Sequence, residues 1–112
     1  MRNFGSLNID YVYSVTNFVK PGETILCNGY YTYAGGKGLN QSVAAGRAGG
    51  CVRHAGMIGE EGRFLLDILS NANVDISLVK VVNARNGHTS IQVDKNGQNT
   101  IILYAGTNHM LD

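Results

Sequence analysis

An α/β fold carrying a separate small antiparallel sheet is predicted by three features of this sequence. Strand-like runs alternate with two segments of helical periodicity. An Asn-Gly pair joins two strand-like runs near the end, and glycines stand at the joints between segments. The resulting order is strand, hairpin, helix, strand, helix, strand, hairpin, which is the pattern of an α/β sheet with an appended β element.

Each element rests on its own residues. Phe4, Leu7, Ile9, Val12 and Val15 alternate loosely, predicting a strand over 3–7 and another over 11–14. Only Phe4 precedes Gly5, a short opening for a strand buried in a parallel sheet. Pro21-Gly22 marks a turn, and residues 24–33 then carry Thr, Ile, Tyr, Tyr, Thr and Tyr, a half-polar strand or hairpin arm. A helix is expected over 37–48, because glycines precede it and Gly49-Gly50 stop it. Residues 51–58 read as a buried strand closed by Gly59. Phe64, Leu65, Ile68, Leu69 and Ala72 share one face of a helix over 61–73. Residues 79–82 form a short strand. His88–Val93 and Asn99–Tyr104 flank Asp94-Lys95-Asn96-Gly97, whose Asn-Gly pair signals a hairpin.

Composition narrows the function classes. With 112 residues the chain has room for one small domain and one modest core. No apolar run reaches the roughly 18 residues of a membrane span, and no export signal opens the sequence. A net charge of +1, with both signs scattered, argues against a nucleic-acid surface or a polybasic membrane anchor. Cys27 and Cys51 lack zinc-ligand spacing and are read as reduced, buried small hydrophobes of a cytoplasmic protein. His54, His88 and His109 are too far apart in sequence to suggest a metal site. The 15 glycines are about twice the average usage of roughly 7 %. They punctuate apolar segments, so they mark turns and close backbone approaches.

Two motifs carry chemistry. In "GGKGLN", a P-loop would need glycine at 31 and Ser or Thr at 38, where Tyr31 and Gly38 stand. A dinucleotide fingerprint would need glycine at 41, which is Gln41. Both nucleotide readings fail, leaving a tight strand-to-helix turn or a ligand cradle. Lys37 and Asn40 favour the cradle, since a helix N-terminus with an ammonium and an amide suits a polyhydroxylated or anionic ligand. In "GSLNID", Asn8 and Asp10 are two residues apart and face one side of an extended chain. A carboxylate beside a carboxamide accepts from and donates to adjacent hydroxyls, the pairing a sugar diol demands. The competing reading is an Asn/Asp turn at a strand end. Arg47, Arg53 and Arg63 fit solvated faces. Tyr30, Tyr31 and Tyr33 lack interleaved basic residues and fit an exposed, half-packed sheet.

Taken together, "GSLNIDYVYSV", "PGETI", "GGKGLNQSVAAGRAGG", "GEEGRFLLDILSNANVDISLV" and "GHTSIQVDKNGQNTIILYAGTN" resemble the ribokinase-like (PfkB-type) carbohydrate kinase family. The resemblance runs the length of the chain, and "GGKGLNQ" looks like the ribokinase branch. It implies the N-terminal part of a three-layer α/β/α domain with a small antiparallel β lid, whose strands would lie near 23–33 and 88–104. It implies that Asn8 and Asp10 grip sugar hydroxyls and that Gly36, Lys37 and Asn40 contact the sugar from the helix start. Thr89, Ile91 and Leu103 would meet the apolar face of the sugar from the lid. Departures are few: a short strand before Gly5, Glu60-Glu61 where the family is Asp-rich, and Thr107 where alanine is commoner.

Family members are more than twice this length, and the resemblance puts their catalytic aspartate and ATP site in a C-terminal half that this sequence lacks. No catalytic residue is therefore carried over. ATP and Mg²⁺ are expected in a complete enzyme and neither on this chain alone, which is expected to be inactive. The implied function is the sugar-binding half of an ATP-dependent kinase acting on the 5-hydroxyl of ribose or a related sugar. The implied partner is a second copy, through the lid or by self-association. The rival reading is a non-catalytic sugar-binding or dimerisation module, or the remnant of a truncated gene.

Overall fold

The computed structural model describes residues 1–110. In chain order the elements are β1 (Arg2–Phe4), β2 (Asn8–Ser14), β3 (Gly29–Gly35), α1 (Lys37–Arg47), β4 (Val52–Ile58), α2 (Arg63–Asn71), β5 (Val74–Val81), β6 (His88–Val93) and β7 (Asn99–Tyr104). Short 3-10 turns occupy Glu60–Gly62 and Gly106–Met110. No described helix is long and apolar enough to cross a membrane.

The strands divide into two sheets. β1, β4 and β5 form a parallel sheet in the order β1-β4-β5. The second sheet has the order β3-β2-β6-β7. Its outer pairs are antiparallel, whereas β2 and β6 run parallel and join the two halves.

One core serves both sheets. Leu7, Ile9, Leu39, Val52, Ile58, Leu65, Leu69, Ala72 and Val74 form a single buried cluster. α2 contributes Leu65 and Leu69, four residues apart and on one helical face. Each fully buried leucine stabilises the fold by about 1.5–3 kcal/mol. Asn73, at φ 63°, takes the left-handed conformation that ends α2 and turns the chain directly into β5.

The junction between the sheets is polar and fully satisfied. Asn86, wholly buried, donates to the carbonyls of Leu7 and Gly87 at 3.0 and 2.8 Å. Its Oδ1 accepts from the Gly59 N–H at 3.0 Å. One amide thus ties the end of β4 and the entries to β2 and β6 together.

Several expectations change. Residues 23–28 are not part of a strand; β3 starts at Gly29, because its partner β2 ends at Ser14 and offers no further edge. Residues 15–28 instead form a loop, anchored where Val19 N–H donates to Gln92 Oε1. β5 begins five residues earlier than expected, at Val74. Its alternating Asp75 and Ser77 resemble loop residues, but they are the exposed face of a strand on β4. Cys51 is exposed and Cys27 half-buried, so neither is a core residue.

Candidate functional site

Asn8 and Asp10 do not sit at the end of the first core strand. They open β2, at the root of the four-stranded sheet. The register aligns Tyr33, Asp10, Thr89 and Leu103 as one cross-strand row. The next row on the same face is Tyr31, Val12, Ile91 and Ile101. Asp10, Thr89, Ile91 and Leu103, expected to act together, therefore share a face. Tyr31 and Tyr33 share it too, with ring centroids 6.3 Å apart.

The head of α1 meets that face through Gly35. Asn8 and Gly35 are register partners, and a Cβ on Gly35 would collide with the Asp10 carboxylate. α1 begins two residues later, at Lys37, so the start of the helix follows directly in the chain from the residue paired with Asn8. Gly36 has φ 98°, a conformation that side chains oppose, and a Cβ there would lie 2.8 Å from the Ser6 carbonyl oxygen. That same oxygen accepts the Leu39 N–H at 3.1 Å. The N–H groups of Lys37 and Gly38 take no backbone partner among the described residues. Lys37 and Asn40 are exposed.

Hydrogen bonds then set what each side chain presents. Leu7 N–H donates to Asn108 Oδ1 at 2.9 Å, which fixes the Asn108 amide. The Asn108 Nδ2 donates to Asn8 Oδ1, and this leaves the Asn8 Nδ2 to act as a donor. Thr89 Oγ1 donates to Asp10 Oδ1 at 2.7 Å. Thr89 is accordingly not a purely apolar lid residue, because its hydroxyl is spent on the carboxylate. The site offers one carboxylate oxygen, one amide donor and the free end of a helix, with Ile91 and Leu103 above. A hollow of about 470 Å³, bordered by Tyr13, Ile25 and Cys27, lies on the other face of the sheet and outside this arrangement.

Asn108, Gly35 and Ser6 were missed as site residues. The sequence signal for Asn108 was present in "GTN", but it gave no hint of Asn8 as its partner.

Residues 3–112 match the model of the pfkB family carbohydrate kinases. This chain belongs to that family. It is 38% identical over 110 residues to the ribokinase of Haemophilus influenzae, covering 96% of this chain and 36% of that protein. The crystal structure of ribokinase from Cryptococcus neoformans in complex with ADP superposes with a TM-score of 0.89 at 41% identity, over 96% of this chain and 34% of that one. Arabidopsis thaliana ribokinase, complexed with ribose and ATP, gives a TM-score of 0.87 at 31% identity, over 96% of this chain and 36% of that one. This pfkB-family chain thus spans about a third of the relatives it matches.

Proposed function

We propose that this chain carries the sugar-binding half of an ATP-dependent carbohydrate kinase of the ribokinase type, which phosphorylates the primary 5-hydroxyl of ribose. The observation that supports it is the convergence of Asp10, Asn8 and the head of α1 around Gly35. The free Asp10 oxygen accepts from one sugar hydroxyl while Asn8 Nδ2 donates to its neighbour. Gly36, Lys37 and Asn40 hold further hydroxyls from the helix end. Thr89, Ile91 and Leu103 lie across the sugar, where the two apolar side chains exclude water.

The residues here do not suit the nucleotide or its metal. "GGKGLN" fails both nucleotide spacings, and among the described residues no three metal-ligating side chains gather. ATP, Mg²⁺ and the catalytic base are assigned to residues outside these 112, and no chemical step is drawn through them. A second copy is the partner assigned to the outer face of the lid, where Tyr30, Ile102 and Tyr104 are exposed.

Titration calorimetry with ribose, paired with a coupled ADP-release assay, tests this reading. Binding without turnover is expected, and Asp10→Ala should abolish the binding. A folded chain that gives no heat with ribose overturns the sugar assignment. Turnover by the chain alone overturns the placing of the base elsewhere.

A further inference from the structure

His54 lies in the middle of β4 with no exposed surface, yet it touches no proposed sugar contact. Its Nε2 is 3.2 Å from the Gly5 carbonyl oxygen and its Nδ1 is 2.7 Å from Ser42 Oγ. The carbonyl only accepts, so Nε2 carries the proton. Nδ1 then accepts the Ser42 hydroxyl, whose oxygen accepts from Asn3 Nδ2 at 2.9 Å. Asn3 Nδ2 also donates to the Gly38 carbonyl at 3.0 Å. Both ring nitrogens and the Ser42 hydroxyl are matched for a neutral ring, and burial pushes the imidazole pKa below its ordinary value, which keeps it neutral.

The network encloses one particular contact. Gly5 of the β1–β2 connection and Gly38 of α1 cross so closely that a Cβ on Gly5 would come within 2.6 Å of the Gly38 Cα. His54 grips the Gly5 side of that crossing and Asn3 the Gly38 side, while Ser42 joins them. Ser6, next to Gly5, accepts the Leu39 N–H and abuts Gly36. A shift of Gly5 would therefore move Ser6 and the α1 head together.

We propose that His54, through Ser42 and Asn3, is a positioning residue that seats the head of α1 and so places Gly36, Lys37 and Asn40 for the sugar. This rests on the sugar-binding reading above. It adds that a buried polar ring, remote from the ligand, sets the affinity of the site.

The test uses the full chain and three variants. Ser42→Ala removes the link with little change in volume. His54→Gln keeps a donor for Gly5, and His54→Leu removes both bonds. Ribose affinity is read by calorimetry, and the seat of the helix by hydrogen exchange at the Leu39 amide. Ser42→Ala is expected to weaken ribose binding by about tenfold. It should also speed Leu39 exchange by about tenfold relative to the Leu65 and Leu69 amides. His54→Gln should retain more affinity than His54→Leu, and imidazole ¹⁵N shifts should report the Nε2–H tautomer. Unchanged Leu39 exchange in Ser42→Ala overturns the proposal, as does faster exchange with unchanged affinity. If the unaltered chain binds no ribose, the sugar reading falls, and Leu39 exchange alone decides whether the ring seats the helix.

Discussion

Thr89 donates its hydroxyl to Asp10 Oδ1 at 2.7 Å, across 79 residues of sequence. The bond turns a lid threonine into the residue that orients the carboxylate. One Asp10 oxygen is committed to Thr89, and the other lies beside Gly35. Thr89→Val keeps the shape and removes the donor. Ribose binding in that variant is expected to weaken by about tenfold, with a bond to a charged group lost, as calorimetry would measure.

Asn108→Ala should cost stability and affinity together. It strands the Leu7 N–H and leaves Asn8 free to rotate its amide. An unpaired buried donor costs about 1–3 kcal/mol, and a drop of about 5–15 °C in Tm follows for a domain of this size. Thermal melts and ribose titrations check the two effects.

Glycine substitutions should separate site from scaffold. Gly35→Ala drives a methyl into a movable carboxylate, so the fold is expected to survive while ribose affinity falls at least about tenfold. Gly5→Ala drives it into the Gly38 backbone and should destabilise by about 3 kcal/mol. Gly22→Ala meets no atom within 4 Å but has φ +74°, and should cost about 1 kcal/mol. Denaturant titrations rank the three.

Stability should fall as pH drops from 7 to 5. His54 has its pKa lowered from an ordinary 6.5 by burial. Its contribution is complete above 6.5 and is lost below it, where the unfolded chain binds a proton that the native ring refuses. Glu60 and Asp75 are held low, the first by hydrogen bonds from Arg63 and the second chiefly by the Ser77 N–H. Their contributions are intact above the ordinary values of 4.5 and 3.8 and are lost only as pH falls below them. Melts of the chain and of His54→Gln, compared between pH 7 and 5, should therefore show the steeper fall in the unaltered chain.

The isolated chain should self-associate. β3 and β7 are open edges of the lid sheet, and Ile101, Ile102 and Leu103 are more than half exposed. Light scattering is expected to report dimers or larger species, and a monodisperse monomer at high concentration would contradict this.

Local chemistry made much of this legible in advance. The Asn-Gly hairpin, both helices and the glycine turn into α1 follow from residues within a few positions of each other, because turn conformations and helical periodicity are short-range properties. The spacing of Asn8 and Asp10 and the "GGKGLN" motif named residues that the fold brings near one another around Gly35. The span of β5 was misread, since a strand with one wet face has the composition of a loop until its partner is known.

What the amino-acid sequence determined alone was the set of elements, the family and the two motifs that carry the candidate site. Tertiary structure decided which side chains are free to meet a ligand. Asn108 takes one end of Asn8, Thr89 takes one oxygen of Asp10, and His54 locks a glycine crossing from within the core. These bonds join residues 49 to 100 positions apart. No local pattern encodes them, because their geometry exists only once the two sheets have packed on a shared core.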